Sequence, residues 1–186
     1  MRRTIDILIS SFLIITMAFP MLLVALVIKL ESQGPALFWS DRVGANNILF
    51  KMPKFRTMHQ GTVAVATHLL DNPSRHLTRI GDFLRRTSID ELPQLLSILG
   101  GRMTFVGPRP ALFNQIDLIE LRTENKVDSL VPGVTGWAQV NGRDKITIRE
   151  KVDLDIEYLI KRSIKFDLHI IGLTLLKVIK KDGISH

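Results

Sequence analysis

Asp90 and Glu91 stand side by side, shortly after Arg85 and Arg86, and Arg109 follows between Pro108 and Pro110. Adjacent carboxylates can supply a nucleophile together with a general base or a metal ligand. Guanidinium forks match phosphate oxygens two at a time. Residues 81–112, GDFLRRTSIDELPQLLSILGGRMTFVGPRPAL, thus carry groups suited to chemistry on a phosphate. The plainer alternative is that the acids cap a helix and the arginines line a solvated face.

These side chains need elements to hold them, and the pattern predicts an α+β chain, mostly helical with a short β-hairpin. A helix is expected over 90–99, with Asp90 at or near the cap, Pro93 in the first turn and Gly100-Gly101 ending it. Residues 36–40 and 48–55 read as strands joined across Gly44-Ala45-Asn46-Asn47, with Pro53 confining the second to an edge or ending it early. Residues 59–76 and 131–143 read as loops, and 111–125 as a helix. A charged helix over 146–159 places Asp155 and Tyr158 one turn apart on one face. The last helix, 167–181, carries Leu168, Ile171, Leu175 and Val178 at helical spacing before a lysine-rich end. It is interfacial, lying on a membrane, or it packs on the domain's own core.

The 186 residues suffice for one globular domain, and the absence of cysteine excludes disulfides and thiolate metal sites. A net charge of +7 favours anionic partners. Nucleic acid is not expected, because aromatics make up only 6 %, the basic residues are scattered and no binding signature is present. None of the five histidines is assigned a role.

Residues 7–28, ILISSFLIITMAFPMLLVALVI, carry no charge. As a helix they would extend about 33 Å, enough for a hydrocarbon core of about 30 Å. The stretch is long for a signal-peptide core, and no small-residue cleavage site follows it. Pro20 predicts a kink, and Arg2, Arg3 and Lys29 flank both ends, as a helix entering and leaving on the cytoplasmic face would require. A proline-broken re-entrant helix and a simple transmembrane helix both remain open. Residues 1–30 are read as the membrane helix and 31–186 as the catalytic domain.

Taken in order, the central-proline apolar segment, QGPALFWSDRVG, KFRTM, TRIGDFLRRTSIDELPQLLSILGGRMTFVGPRP, PGVTGWAQVNGR and the D-x-x-Y of Asp155–Tyr158 resemble the bacterial sugar transferase family, the monotopic polyprenyl-phosphate phosphoglycosyl transferases. Two departures are visible: Phe19-Pro20 replaces the family's Ser-Pro, and Pro53 replaces the aromatic before KFRTM. The resemblance implies transfer of a sugar 1-phosphate from a UDP-sugar to undecaprenyl phosphate, with UMP leaving. That reaction initiates O-antigen, capsule, exopolysaccharide or protein glycan synthesis, and its product feeds downstream glycosyltransferases. It implies the bacterial inner membrane, with the catalytic domain on the cytoplasmic face.

Carried onto this chain, Asp90 is the nucleophile of a ping-pong reaction through an aspartyl-phosphosugar. Glu91 is a base or metal ligand, and Asp90 and Glu91 are the magnesium ligands. Lys54, Arg85 and Arg109 are implied to bind the diphosphate or acceptor phosphate, Arg143 the uridine or a phosphate, and Asp155 to support the metal or Arg143. For Asp155 the plainer alternative is a structural ion pair, and for Trp137 a place in the core. A metal-dependent phosphatase and a membrane-bound scaffold are the rival functions.

Overall fold

The computed structural model describes residues 1–62, 73–142 and 145–180. Helix α1 (Arg2–Glu31) is long and apolar enough to cross a membrane, by length and composition. The expected break at Pro20 does not interrupt it: the helix runs through the proline as one element. Pro20 gives no N–H to the Thr16 carbonyl. The Thr16 hydroxyl bonds back to the carbonyls of Phe12 and Leu13 at 3.0 and 3.2 Å.

One face of α1 lies on the rest of the chain. Leu13 and Ile14 pack on Phe50, Met52, Leu95, Ile98 and Met103, while Met21, Val24, Ala25 and Ile28 pack around Phe55 and Leu84. The opposite face exposes Leu8, Phe12, Ile15, Phe19, Leu22 and Leu26. Both ends are tied to the same globular body. Near the start, Arg3 donates to the carbonyls of Ile98 and Leu99, and Asp6 accepts from the Thr104 hydroxyl at 2.8 Å. At the far end, the Glu31 carboxylate accepts the Ile80 N–H at 3.2 Å, and Arg56 donates to the carbonyls of Ser32 and Gln33.

Strands β1 (Leu37–Val43) and β2 (Leu49–Phe55) form the expected hairpin, with Leu37 opposite Phe55 and Val43 opposite Leu49. β1 runs past Ser40 because Asp41 and Arg42 keep pairing with Lys51 and Phe50. Asn46 and Asn47 make the turn at φ 53° and 59°, a region asparagine tolerates well. In a sheet of two strands both are edges, so Pro53 sits in β2 opposite Trp39 without losing a second neighbour.

After α2 (Pro73–His76), helix α3 (Arg79–Arg86) starts at Thr78, whose side chain accepts the Gly81 N–H at 3.0 Å. A 3-10 helix, Ile89–Gln94, then leads into α4 (Leu95–Leu99). Ser88, not Asp90, occupies the cap, with a left-handed φ of 56°. Pro93 has no N–H to return to residue 89, as an α-helix from Ser88 requires, and the segment winds as 3-10 instead.

β3 (Thr104–Val106) pairs in parallel with β4 (Gly133–Thr135), and α5 (Ile116–Glu124) lies in the crossover. The helix expected from residue 111 starts five residues later, because Ala111 and Leu112 run extended against β1. The Ala111 carbonyl accepts the Val43 N–H at 3.0 Å there. The stretch 131–143 is not all loop: it holds β4 and α6 (Trp137–Val140). α7 (Ile148–Lys161) opens with a capping box between Thr147 and Glu150, and α8 (Ile164–Lys180) closes the described chain. Val106, Val127, Leu130, Val140, Tyr158 and Ile170 form one core, with Trp137 packed against it. α8 packs on the core through Ile170, which is fully buried, while Leu168, Leu175, Leu176 and Val178 are exposed. The architecture is α+β, mostly helical.

Candidate active site

Three elements far apart in sequence converge on Glu91. Lys54 comes from β2, Glu91 from the 3-10 helix packed on that strand, and Arg109 from the Pro-Arg-Pro loop after β3. Glu91 Oε1 accepts from Lys54 Nζ at 2.7 Å and from Arg109 Nη2 at 3.2 Å. Arg85, in the last turn of α3, donates through Nε to Thr57 Oγ1 at 2.9 Å. Gly81 permits that approach: a Cβ there would overlap the Thr57 carbonyl oxygen, which accepts the Thr78 N–H at 3.0 Å.

Asp90 is 7 % exposed, and its carboxylate accepts no hydrogen bond among the described residues. Burial lifts its pKa to about 6; Lys54 pulls it down, Glu91 pushes it up, and Arg85 and Arg109 pull it down. Burial also lowers Lys54 from the ordinary lysine range, with Glu91 opposing. The two neighbouring carboxylates therefore differ. Glu91 is held by two cations, whereas Asp90 sits in their field with its oxygens available to an incoming electrophile.

The sequence reading missed two arginines. Arg42, on β1, donates to Ser40 Oγ at 3.0 Å through Nε and to the Pro110 carbonyl at 3.1 Å through Nη1. Burial and the neighbouring Arg109 lower it to about 10, with Glu91 opposing. Its signal was its register, since a charged residue opposite Phe50 stands on the inward face of the hairpin. With Lys54, Arg85 and Arg109 it makes a cluster of cations that outnumbers Asp90 and Glu91, a balance suited to a diphosphate.

Arg122 is the second. It is 8 % exposed and donates through Nε and Nη2 to Asp155 Oδ2 at 3.0 and 2.6 Å, and through Nη1 to the Arg109 carbonyl at 2.8 Å. Its signal was a buried helix face, one turn after Leu118. Asp155, 1 % exposed, thus lies behind the Pro-Arg-Pro loop in an ion pair. Burial raises its pKa while Arg122 and then Lys151 lower it. Arg86 pairs with Asp82 and is 62 % exposed. Trp137 packs in the core and donates to Glu157 Oε2 at 2.7 Å. Arg143 lies outside the described residues.

The chain belongs to the bacterial sugar transferase family, whose pattern it matches over residues 1–181. It is 40 % identical over 185 residues to an undecaprenyl-phosphate glucose phosphotransferase of Komagataeibacter xylinus, covering 94 % of this chain and 35 % of that protein. It is 37 % identical over 187 residues to an uncharacterized sugar transferase, EpsL, of Bacillus subtilis, covering 100 % of this chain and 90 % of EpsL. A UDP-glucose:undecaprenyl-phosphate glucose-1-phosphate transferase of Escherichia coli is 36 % identical over 185 residues, covering 95 % of this chain and 40 % of that protein. The chain thus spans little more than a third of the two characterised relatives and nearly all of EpsL.

Proposed function

We propose that this protein transfers a sugar 1-phosphate from a UDP-sugar to undecaprenyl phosphate, giving undecaprenyl-diphosphate sugar and UMP. The observation that carries the reading is the site itself. A buried carboxylate that accepts no hydrogen bond among the described residues, Asp90, stands beside Glu91, which Lys54 and Arg109 already hold. Asp90 attacks the phosphorus that bears the sugar; an oxygen–phosphorus bond forms to the carboxylate, and the bond to the UMP oxygen breaks. The acceptor phosphate then attacks the aspartyl-phosphosugar and returns Asp90 as a carboxylate. Lys54, Arg85, Arg109 and Arg42 offset the repulsion between carboxylate and diphosphate and stabilise the charge that develops. Glu91 serves as the base toward the acceptor.

Among the described residues there is no cluster of three or more His, Cys, Asp or Glu, so no all-protein metal cage exists there. Magnesium does not need one: it binds through one or two carboxylates completed by substrate phosphates and water. Asp90 and Glu91 fit that requirement, and the ion would supply further charge neutralisation at the diphosphate. Arg143 and the pathway served stay with the family's implication, whereas Asp155 is taken by its ion pair with Arg122.

The acceptor is a lipid, and α1 supports a membrane site. Both of its ends bond to one globular body, which supports a helix that starts and ends on the same side of the membrane. Entry into a single leaflet from the cytoplasmic face fits those ties and the basic residues at both ends. The exposed apolar residues of α8 fit the same interface. Lipid phosphates there lie level with water-soluble donor.

Purified protein with magnesium, undecaprenyl phosphate and a panel of UDP-sugars tests the reaction. UMP is expected only with acceptor present, apart from a single-turnover burst, and chelation of magnesium should abolish it. Continuous donor hydrolysis without acceptor would instead mark a phosphatase. Asp90→Asn and Glu91→Gln should each cut turnover at least about a hundredfold with folding retained. Unchanged function in both would mark a scaffold.

A further inference from the structure

The Pro108-Arg109-Pro110 tripeptide has one N–H and three carbonyls, and each carbonyl is taken. Gly133 N–H bonds the Pro108 carbonyl at 2.9 Å, Arg122 Nη1 the Arg109 carbonyl at 2.8 Å, and Arg42 Nη1 the Pro110 carbonyl at 3.1 Å. The prolines fix φ on both sides of Arg109. Arg122 is itself aimed by Asp155, which takes two of its donors on a single oxygen. Removing either partner leaves an unpaired buried charge or carbonyl, which the loop must move to satisfy.

We propose that Arg122 and Asp155 are positioning residues: through the Arg109 carbonyl they set the backbone from which Arg109 reaches the phosphate of the substrate. This rests on the phosphate-binding role given to Arg109 above. Asp155 on this account touches neither substrate nor metal. It acts at one remove through α5, the helix that carries Arg122 into the gap between α7 and the loop. The guanidinium is the group this geometry requires, because one planar fork must serve a carboxylate along one edge and a carbonyl along another.

A pair that only holds the fold together would lower stability without regard to Arg109. A pair that works through Arg109 has no further effect on phosphate binding once that side chain is gone. The test is a double-mutant cycle on the full chain, read by titration with inorganic pyrophosphate and, separately, by thermal unfolding. Arg109→Gln should weaken pyrophosphate binding about tenfold, and Arg122→Gln about fivefold in the otherwise unaltered chain. In the Arg109→Gln background, Arg122→Gln should change binding less than about twofold, while its loss of thermal stability stays the same in both backgrounds. Asp155→Asn, which keeps the volume and one acceptor, should show the same non-additivity at smaller size and serves if Arg122→Gln fails to fold. Equal fold losses in both backgrounds, or undiminished binding in a folded Arg122→Gln or Asp155→Asn protein, would overturn the proposal. The cycle reads phosphate binding alone, so a chain that binds pyrophosphate but never releases UMP would sink the transfer reaction and leave the positioning role standing.

Discussion

Asp90 and Glu91 are neighbours in sequence and opposites in environment. A carboxylate with two cations on one oxygen is already neutralised, whereas one that is buried with no hydrogen bond among the described residues is held at a cost. For Asp90 the folded state binds its proton more tightly than the unfolded chain, with a pKa of about 6 against 3.8. Stability therefore falls as pH rises between those values, and the ionised side chain opposes folding by up to about 3 kcal/mol at neutral pH. Asp90→Asn should abolish turnover and yet raise the melting temperature at pH 8, with the difference gone at pH 4, as calorimetry at the two pH values would show. In the metal-free protein the Asp90 carboxyl should titrate near pH 6, as its carboxyl carbon shift followed by NMR from pH 5 to 8 would show. A flat profile from pH 5 to 8 would deny Asp90 its shifted pKa.

The clustering at this scale was legible because it is local: adjacent acids and a proline-bracketed arginine can be seen in one short run. Arg42 and Arg122 were not, because the atoms they bond lie on other elements, Pro110 for one and Asp155 for the other. A buried arginine has no marker in sequence unless the face it occupies is already known.

Among the elements, the segment from α3 to α4 is what places Arg85, Asp90 and Glu91 together. Its start depends on the absence of a side chain at Gly81, where α3 touches the Thr57 carbonyl. Gly81→Ala should push α3 off β2's extension, destabilise the fold by about 2 kcal/mol or more, and lower turnover through Arg85, measurable as a shifted denaturant midpoint with reduced kcat. An unshifted midpoint would mean that α3 has room to spare. The hairpin, α7 and α8 were legible because each has a strong local signal: Asn-rich turn, charged run, apolar period. The late start of α5 and the three-residue β4 were not. Ala111 and Leu112 are claimed by β1, and a strand of three residues is too short to show a period.

For the molecule as a whole, α1 is a helix long and apolar enough to cross a membrane that also packs on the segment carrying Asp90 and Glu91. Its first turns cap α4 through Arg3, and its last residue reaches the N-terminus of α3 through Glu31, so the segment from α3 to α4 is held at both ends by α1. Cysteines at Thr4 and Lys29 should both label from the cytoplasmic side, and labelling on opposite sides would establish a full crossing. The proposed function rests on one chemical event, the transfer of a phosphosugar to Asp90. Incubating the protein with a UDP-sugar labelled in the phosphate next to the sugar, without acceptor, and mapping the label by mass spectrometry tests that event most directly. The account predicts one phosphosugar on Asp90, discharged when undecaprenyl phosphate is added. Active protein that never carries label at Asp90 would contradict it.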